Sequence, residues 1–296
     1  MITKTAMITI VGRPNVGKST LANALVGEKI AIVSSKPQTT RNRICAIVNR
    51  GDTQFVLMDT PGFHKPRNRL GDYMMNVVKD SVASVDAVML MAEPAGKPGP
   101  QEEELISHIK SSGAKSVLVI NKIDTVDKMS LLAVMAEYSK LHAFDAVVPV
   151  SAKTGEGLEE LMDELGEFAE EGPQLFPDDM ITDQPERQIC AELVREKLLN
   201  CLDKEVPHGT AVEITRFHER EDGLVEIDAT IYCEKESHKG IIIGKHGAML
   251  KRVGELARTD MEEFLDTKVF LQTWVKVKEN WRDSAAQLRN FGFRDE

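Results

Sequence analysis

The run Gly12-Arg13-Pro14-Asn15-Val16-Gly17-Lys18-Ser19 is the most chemically explicit stretch of this sequence. Its glycines let successive backbone N–H groups turn inward around a phosphate. Lys18 adds a point charge for the outer phosphate oxygens, and the Ser19 hydroxyl is a ligand for Mg²⁺. An apolar run, 7–11, precedes the loop, and a helical stretch that includes Thr20 follows it, as a phosphate loop requires. Chance would supply the pattern about 0.01 times in a chain of this length, so an ordinary glycine turn is a poor alternative. Downstream, Asp59-Thr60-Pro61-Gly62 closes a strand-like run and is followed by Phe63. A carboxylate there holds Mg²⁺ through water, and Gly62 offers its N–H to a terminal phosphate.

Asn121-Lys122-Ile123-Asp124 selects a base. The Asp124 carboxylate accepts from the ring N–H and the exocyclic amine of guanine. Adenine presents an acceptor in the first position and no amine in the second, and so leaves the carboxylate unpaired. Asn121 braces the loop, and the stem of Lys122 covers the ring. Ser151-Ala152-Lys153 lies after the next strand, where the Ala152 N–H completes a base pocket.

These loops need strands to end beside one another. Strand-like runs at 7–11, 44–49, 54–58, 87–91, 116–120 and 146–150 alternate with helical stretches, such as 130–141 with Leu131, Val134, Met135 and Tyr138 in step. Such alternation builds a doubly wound α/β sheet with ligands at the carboxyl ends of its strands. Prolines, glycine and acids between Glu170 and Pro185 suit an interdomain linker. The expected divisions are therefore 1–172 for the nucleotide domain, 173–185 for the linker and 186–296 for a second domain with a C-terminal tail.

The second domain has another pattern. A helix over 186–202 precedes strands at 212–220 and 224–233, joined by a turn at Glu221-Asp222-Gly223. Helical segments then flank Gly244-Lys245-His246-Gly247, and a strand covers 268–278. The order is helix, strand, strand, helix, helix, strand. The tail at 279–293 mixes aromatics with arginines and is expected to pack as a terminal helix.

Bulk properties narrow the class. The chain has 296 residues, 42% hydrophobic and 28% charged, which suits two globular domains. No run is long and apolar enough to cross a bilayer. Four scattered cysteines indicate neither a disulfide frame nor a zinc site, and a cytoplasmic setting is expected. A net charge of −10 excludes a uniformly basic nucleic-acid binder, so any RNA contact must be local.

In this order the first-domain motifs resemble those of the translation-factor-like GTPase superfamily, which implies a P-loop GTPase fold and Mg²⁺-dependent hydrolysis of GTP to GDP and phosphate. With that resemblance, Pro37-Gln38-Thr39-Thr40-Arg41 is similar to a first switch, with Thr40 preferred over Thr39 as the Mg²⁺ ligand beside Ser19 and Asp59. Many relatives carry a water-orienting glutamine where Phe63 stands, so the water must be ordered by backbone, ion or partner. Asn15 resembles an asparagine that holds K⁺ in the Era and tRNA-modification branch; a loop-shaping Asn15 is the alternative. Slow intrinsic turnover, accelerated by K⁺ or a partner, is the expectation.

Gly244-Lys245-His246-Gly247 in its helical setting resembles the loop of a type II KH domain, an α+β fold that clamps single-stranded RNA. The resemblance implies an RNA surface of Lys239, Gly240, Ile243, Gly244, Lys245, His246, Gly247, Lys251 and Arg252. Ile242 and Ile243 are each candidates for groove wall or for core. The pairing of the two domains resembles the Era family of bacterial GTPases. Its implied partners are GTP and GDP, single-stranded rRNA at the 3′ end of the small-subunit rRNA, and the maturing small ribosomal subunit. A monomer with a peripheral contact at the inner face of the cell membrane is a further expectation. The rival reading is a regulatory GTPase whose C-terminal domain binds a protein or a membrane surface.

Overall fold

Ala6, Ile8, Ile10 and Val11 have no exposed surface, and the strand they form, β1 (Lys4–Gly12), lies inside a mixed sheet. The structure is a computed structural model and describes residues 2–82 and 85–293. The sheet runs β2 (Ile44–Arg50), β3 (Thr53–Asp59), β1, β4 (Ala87–Ala92), β5 (Lys115–Ile120), β6 (Ala146–Pro149), and a short β7 (Glu170–Glu171) pairs with β1. All neighbours along this path are parallel except β2 and β3. Every residue of β3 and β4 is buried, as expected for strands covered on both faces.

The helices are α1 (Lys18–Val26), α2 (Arg69–Val82), α3 (Pro100–Ser112), α4 (Lys128–Leu141) and α5 (Leu158–Gly166). Because β3 flanks β1 on one side and β4 on the other, the winding reverses at β1. A crevice at the carboxyl ends of the strands follows from that reversal. α4 begins at Asp127, whose carboxylate accepts from the N–H groups of Met129 and Ser130, both at 2.9 Å. Of its four in-step apolar residues only Val134 and Tyr138 are buried.

The run 173–185, expected as an interdomain linker, is hydrogen-bonded to β2 and β3. Leu175 and Phe176 donate their N–H groups to Gln54 Oε1 at 2.9 Å, and Gln54 Nε2 donates to the Phe176 carbonyl at 2.9 Å. Further on, the Ile47 N–H donates to the Ile181 carbonyl at 2.9 Å, and the Cys45 N–H to Asp183 Oδ1 at 3.0 Å. Gln54 is fully buried, so its amide needs these partners as much as the strap needs it. Contacts accordingly group Met1–Ala31, Thr40–Pro66 and Met74–Asp183 in one unit. The outermost residues of the expected divisions, 1 and 294–296, lie outside the described residues.

The second unit comprises Gln184–Glu296 together with Ile32–Thr39 and Arg67–Tyr73. Its elements are α6 (Glu186–Cys201), β8 (Ala211–Glu219), β9 (Val225–Cys233), α7 (Glu236–Ile243), α8 (Ala248–Leu265), β10 (Val269–Val277) and α9 (Ala285–Asn290). β9 is central, antiparallel to β8 and parallel to β10, with α7 and α8 forming the crossover. Ile227, Ala229, Ile231 and Cys233 face a core with Leu198, Val253, Ala257 and Met261. The tail is packed, as expected: Trp281 is fully buried, donates its indole N–H to the Gly209 carbonyl at 2.9 Å and stacks on Phe293. Within this unit the segment Ile32–Thr39 is held by α6. Glu196 Oε1 accepts from the Val33 N–H at 2.9 Å, and buried Arg195 donates to the carbonyls of Gln38 and Thr39.

Candidate nucleotide site and glycine loop

Residues 12–19 connect β1 to α1, and close approach sets their composition. A Cβ on Gly17, whose φ is 101°, would lie 2.3 Å from Asn121 Nδ2. One on Gly62 would lie 2.7 Å from the Cα of Pro14, so the glycine end of the Asp-x-x-Gly motif rests on the phosphate loop itself. The Phe63 N–H reinforces that contact by donating to the Gly12 carbonyl at 3.0 Å. Lys18 is 6% exposed, and its Nζ donates to the carbonyls of Gly12 at 3.2 Å and Arg13 at 3.1 Å. Burial lowers its ammonium pKa from 10.5 to about 8, an effect that Asp59 partly offsets.

Three oxygens meet beside it. Ser19 Oγ lies 2.8 Å from Thr40 Oγ1 and 2.6 Å from Asp59 Oδ2, and Thr40 Oγ1 donates to the same carboxylate oxygen at 3.3 Å. Asp59 is fully buried, and its Oδ1 has no hydrogen-bond partner. Burial raises its pKa, opposed by Lys18, Ser19, Thr40 and the Thr60 backbone. A hydroxyl pair and a carboxylate with an unpaired buried oxygen form a hard-oxygen set suited to Mg²⁺. The Thr39 hydroxyl is turned elsewhere and donates to the Lys36 carbonyl at 2.7 Å.

Residues 121–124 follow β5, as Ser151 and Ala152 follow β6. Asn121 joins the loops: its Nδ2 donates to the Val16 carbonyl at 2.8 Å, and its Oδ1 accepts from the Ala152 N–H at 2.9 Å. Asp124 is exposed, and its Oδ1 accepts from Ser151 Oγ at 2.8 Å, which orients the carboxylate. Lys122 adopts a left-handed backbone, φ 67°, and its Nζ donates to the Asn15 carbonyl at 2.7 Å. Ile123 is half-buried and Lys153 exposed. Asn15 is exposed with φ 67°, and Thr20 lies in the first turn of α1.

Other groups of these loops have partners within the chain. The Ala152 backbone N–H donates to Asn121 Oδ1. The Thr60 hydroxyl donates to the Ile10 carbonyl at 2.7 Å and so ties its loop to β1. Pro61 is buried. The Phe63 ring turns into an apolar cavity of about 120 Å³ with Val78, Val82 and Leu105, edge-on to His108. The Arg13 guanidinium reaches α3, where its Nε sits 3.0 Å from buried Glu102. Glu93, on the loop after β4, pairs with both Arg13 and Lys122. No motif marks Glu93 or Glu102; only the strand order brings them here.

In the second unit residues 244–247 join α7 to α8. Gly244 has φ 72° and ψ 177°, and a Cβ on it would lie 2.7 Å from the Cβ of Met249. Gly247 has φ 77°, and a Cβ on it would meet nothing within 4 Å. Lys245, His246, Lys251 and Arg252 are exposed, Lys239 is half-buried 3.9 Å from Glu236, and Gly240 is exposed. Of the isoleucines, Ile242 is fully buried core and Ile243 half-buried. Ile241, not singled out from the sequence, is 50% exposed.

Residues 7–122 match the family model described as a 50S ribosome-binding GTPase, and residues 205–282 match a KH domain. The chain is 50% identical over 291 residues to GTPase Era of Ruminiclostridium cellulolyticum, covering 98% of each protein. It is 48% identical over 294 residues to GTPase Era of Clostridioides difficile, covering 99% of each. Among solved structures, Era in complex with MgGDPNP and nucleotides 1506–1542 of 16S ribosomal RNA superposes with a TM-score of 0.95 at 37% identity, over 99% of this chain and 100% of that one. A variant of Aquifex aeolicus Era bound to GDP and AlF4⁻ has the same TM-score, identity and coverage. A phosphate loop, a guanine-selecting loop and a KH glycine loop thus occur in one chain alongside full-length relatives of the same plan, and the chain belongs to the Era family of GTPases.

Proposed function

We propose that this protein is a GTP-hydrolysing switch that holds single-stranded RNA at the 3′ end of the small-subunit rRNA and acts in assembly of that subunit. The observation that carries the switch is the convergence of the Ser19 and Thr40 hydroxyls on Asp59 Oδ2, with the buried Oδ1 of the same carboxylate left without a partner. In this reading Ser19 and Thr40 bind Mg²⁺ and Asp59 holds it through water. The chemistry a bound Mg²⁺ supplies there is neutralisation of charge on the β- and γ-phosphate oxygens. Lys18, already desolvated and short of a full counter-charge, receives one from those oxygens. The Gly62 N–H meets the γ-phosphate, and Thr40, which already lies against Ser19 and Asp59, adds its hydroxyl to the Mg²⁺ set when that phosphate is present.

Water attacks the γ-phosphorus, the bond to the bridging oxygen breaks, GDP leaves with that electron pair, and the proton lost by the water goes to an oxygen of the released phosphate. Phe63 takes no part in orienting the water, because its ring lies in the apolar cavity and its N–H is used. We take Asn15 as a ligand for K⁺ beside the phosphates, where a fixed cation stabilises charge developing on the leaving oxygen.

The RNA half is supported by the exposed basic residues around 244–247 and by the relative solved with a 16S fragment. That relative matches the whole chain, whereas the family model whose description mentions the 50S subunit covers only residues 7–122, which favours the small subunit. The surface comprises Lys239, Gly240, Ile243, Gly244, Lys245, His246, Gly247, Lys251 and Arg252, with Ile241 added. Among the described residues no helix is long and apolar enough to cross a membrane.

Displacement of a fluorescent GDP tests the base assignment. Two charge-assisted hydrogen bonds to guanine amount to about 3 kcal/mol, so Asp124→Ala is expected to weaken GTP about 100-fold and leave the weak competition by ATP unchanged. ATP that displaces the probe from the unmodified protein as well as GTP does would refute the reading.

A further inference from the structure

β4 lies between β1 and β5 in the sheet, so the residue that follows it stands between the loop after β1 and the loop after β5. The register makes this local: Gly12 pairs with Met91, Ala92 pairs with Ile120, and the Asn121 N–H donates to the Ala92 carbonyl at 2.9 Å. Glu93 is that residue. Its Oε2 is 3.9 Å from the Arg13 guanidinium, and its Oε1 accepts from Lys122 Nζ, which also donates to the Asn15 carbonyl at 2.7 Å. Arg13 is anchored from behind by buried Glu102, which also accepts from the Gly99 N–H at 3.1 Å and caps α3. One carboxylate therefore joins a cation from the phosphate loop to a cation from the guanine loop.

We propose that Glu93 is a positioning residue for the nucleotide site, setting the distance between the phosphate loop and the guanine loop through Arg13 and Lys122. The proposal rests on the site assignment made above. A guanine nucleotide is a rigid two-ended ligand on this scale, with phosphates on 12–19 and base on 121–124. Binding both ends at once is favourable only when the two half-sites are already correctly spaced. Without the Glu93 charge, two neighbouring cations repel, and each loop is free to settle at its own distance. The side chains of Glu93, Arg13 and Lys122 are 29%, 40% and 39% exposed, so solvent and salt moderate the effect.

Glu93→Gln keeps the shape and removes the charge. GDP dissociation, read by a fluorescent analogue in stopped flow, is expected to accelerate about tenfold. The melting midpoint of the nucleotide-free protein is expected to stay within ~2 °C, as for a surface substitution. The inhibition constants of guanosine alone and of inorganic pyrophosphate alone are expected to remain within about twofold of the unmodified protein, since each uses one loop. In a Lys122→Met background, Glu93→Gln is expected to add less than about twofold, because the link is already cut. Either fragment weakened as much as GDP would overturn the proposal and reduce Glu93 to a support for one loop. Full additivity with Lys122→Met would also overturn it. Lys122→Met with unaltered GDP dissociation would instead remove the base-site assignment beneath it, and the proposal with it.

Discussion

The two glycines of the 244–247 loop differ in what they permit, and that difference is measurable. Gly244 combines φ 72° with ψ 177°, a region side chains avoid, and a Cβ there would meet the Met249 Cβ at 2.7 Å and the Met249 backbone N at 2.9 Å. Backbone strain of this kind costs about 1–3 kcal/mol, and crowding against backbone adds about 1–3 kcal/mol, because Met249 belongs to the first turn of α8 and cannot yield alone. Gly244→Ala is therefore expected to cost about 2–6 kcal/mol. Gly247 adopts the left-handed helical region, φ 77° and ψ 7°, with nothing within 4 Å of an added Cβ, so Gly247→Ala is expected to cost about 1 kcal/mol.

The assay is built into the sequence, since both tryptophans, Trp274 and Trp281, belong to the second unit and their fluorescence follows its unfolding. In urea the Gly244→Ala midpoint is expected well below that of Gly247→Ala. Gly247→Ala stays folded under native conditions and binds a short single-stranded RNA about tenfold more weakly, its methyl standing where the sugar-phosphate backbone comes close. Equal midpoints for the two variants would refute the steric reasoning.

Two further outcomes concern the first unit. With its pKa held at about 8 by burial, Lys18 loses its proton in the folded, nucleotide-free protein while the unfolded chain keeps it up to 10.5. Nucleotide-free stability is therefore expected to rise by about 3 kcal/mol between pH 8 and 10.5, at ~1.4 kcal/mol per tenfold, with Lys18→Met abolishing the rise; the same pH profile in both proteins would contradict this. If Asn15 holds K⁺, GTP turnover in potassium is expected to exceed that in sodium at equal ionic strength by about tenfold or more, and Asn15→Ala removes the difference; equal rates in the two salts would eliminate the ion.

Much of the site could be read before any coordinates because its chemistry sits in contiguous loops. The residues 12–19, 59–62 and 121–124 each carry several roles in a few positions, and their order implied a common strand end. The hydroxyl that meets Ser19 and Asp59 is that of Thr40, while that of Thr39 donates to the Lys36 carbonyl. What escaped depends on contacts between distant segments. Glu93 is an ordinary loop acid until β4 is placed between β1 and β5. Nothing in the sequence marks the pairing of Arg13 with Glu102 on α3. Ile241, Ile242 and Ile243 are indistinguishable by type, and only the phase of α7 decides which is core. The run 173–183 has the composition of a tether, and what fastens it, a buried glutamine 121 and 122 positions away and the backbone of β2, leaves no local signal.

That strap has a consequence beyond holding the chain. β2 ends its sheet, and an end strand offers unpaired N–H and carbonyl groups to any extended chain that drifts past, which is how soluble proteins begin to join into fibrils. By laying 181–183 over Cys45, Ala46 and Ile47, the molecule occupies that template with its own backbone. A segment rich in proline and acid is well suited to the role, because it blocks the edge and offers a poor surface for a further strand.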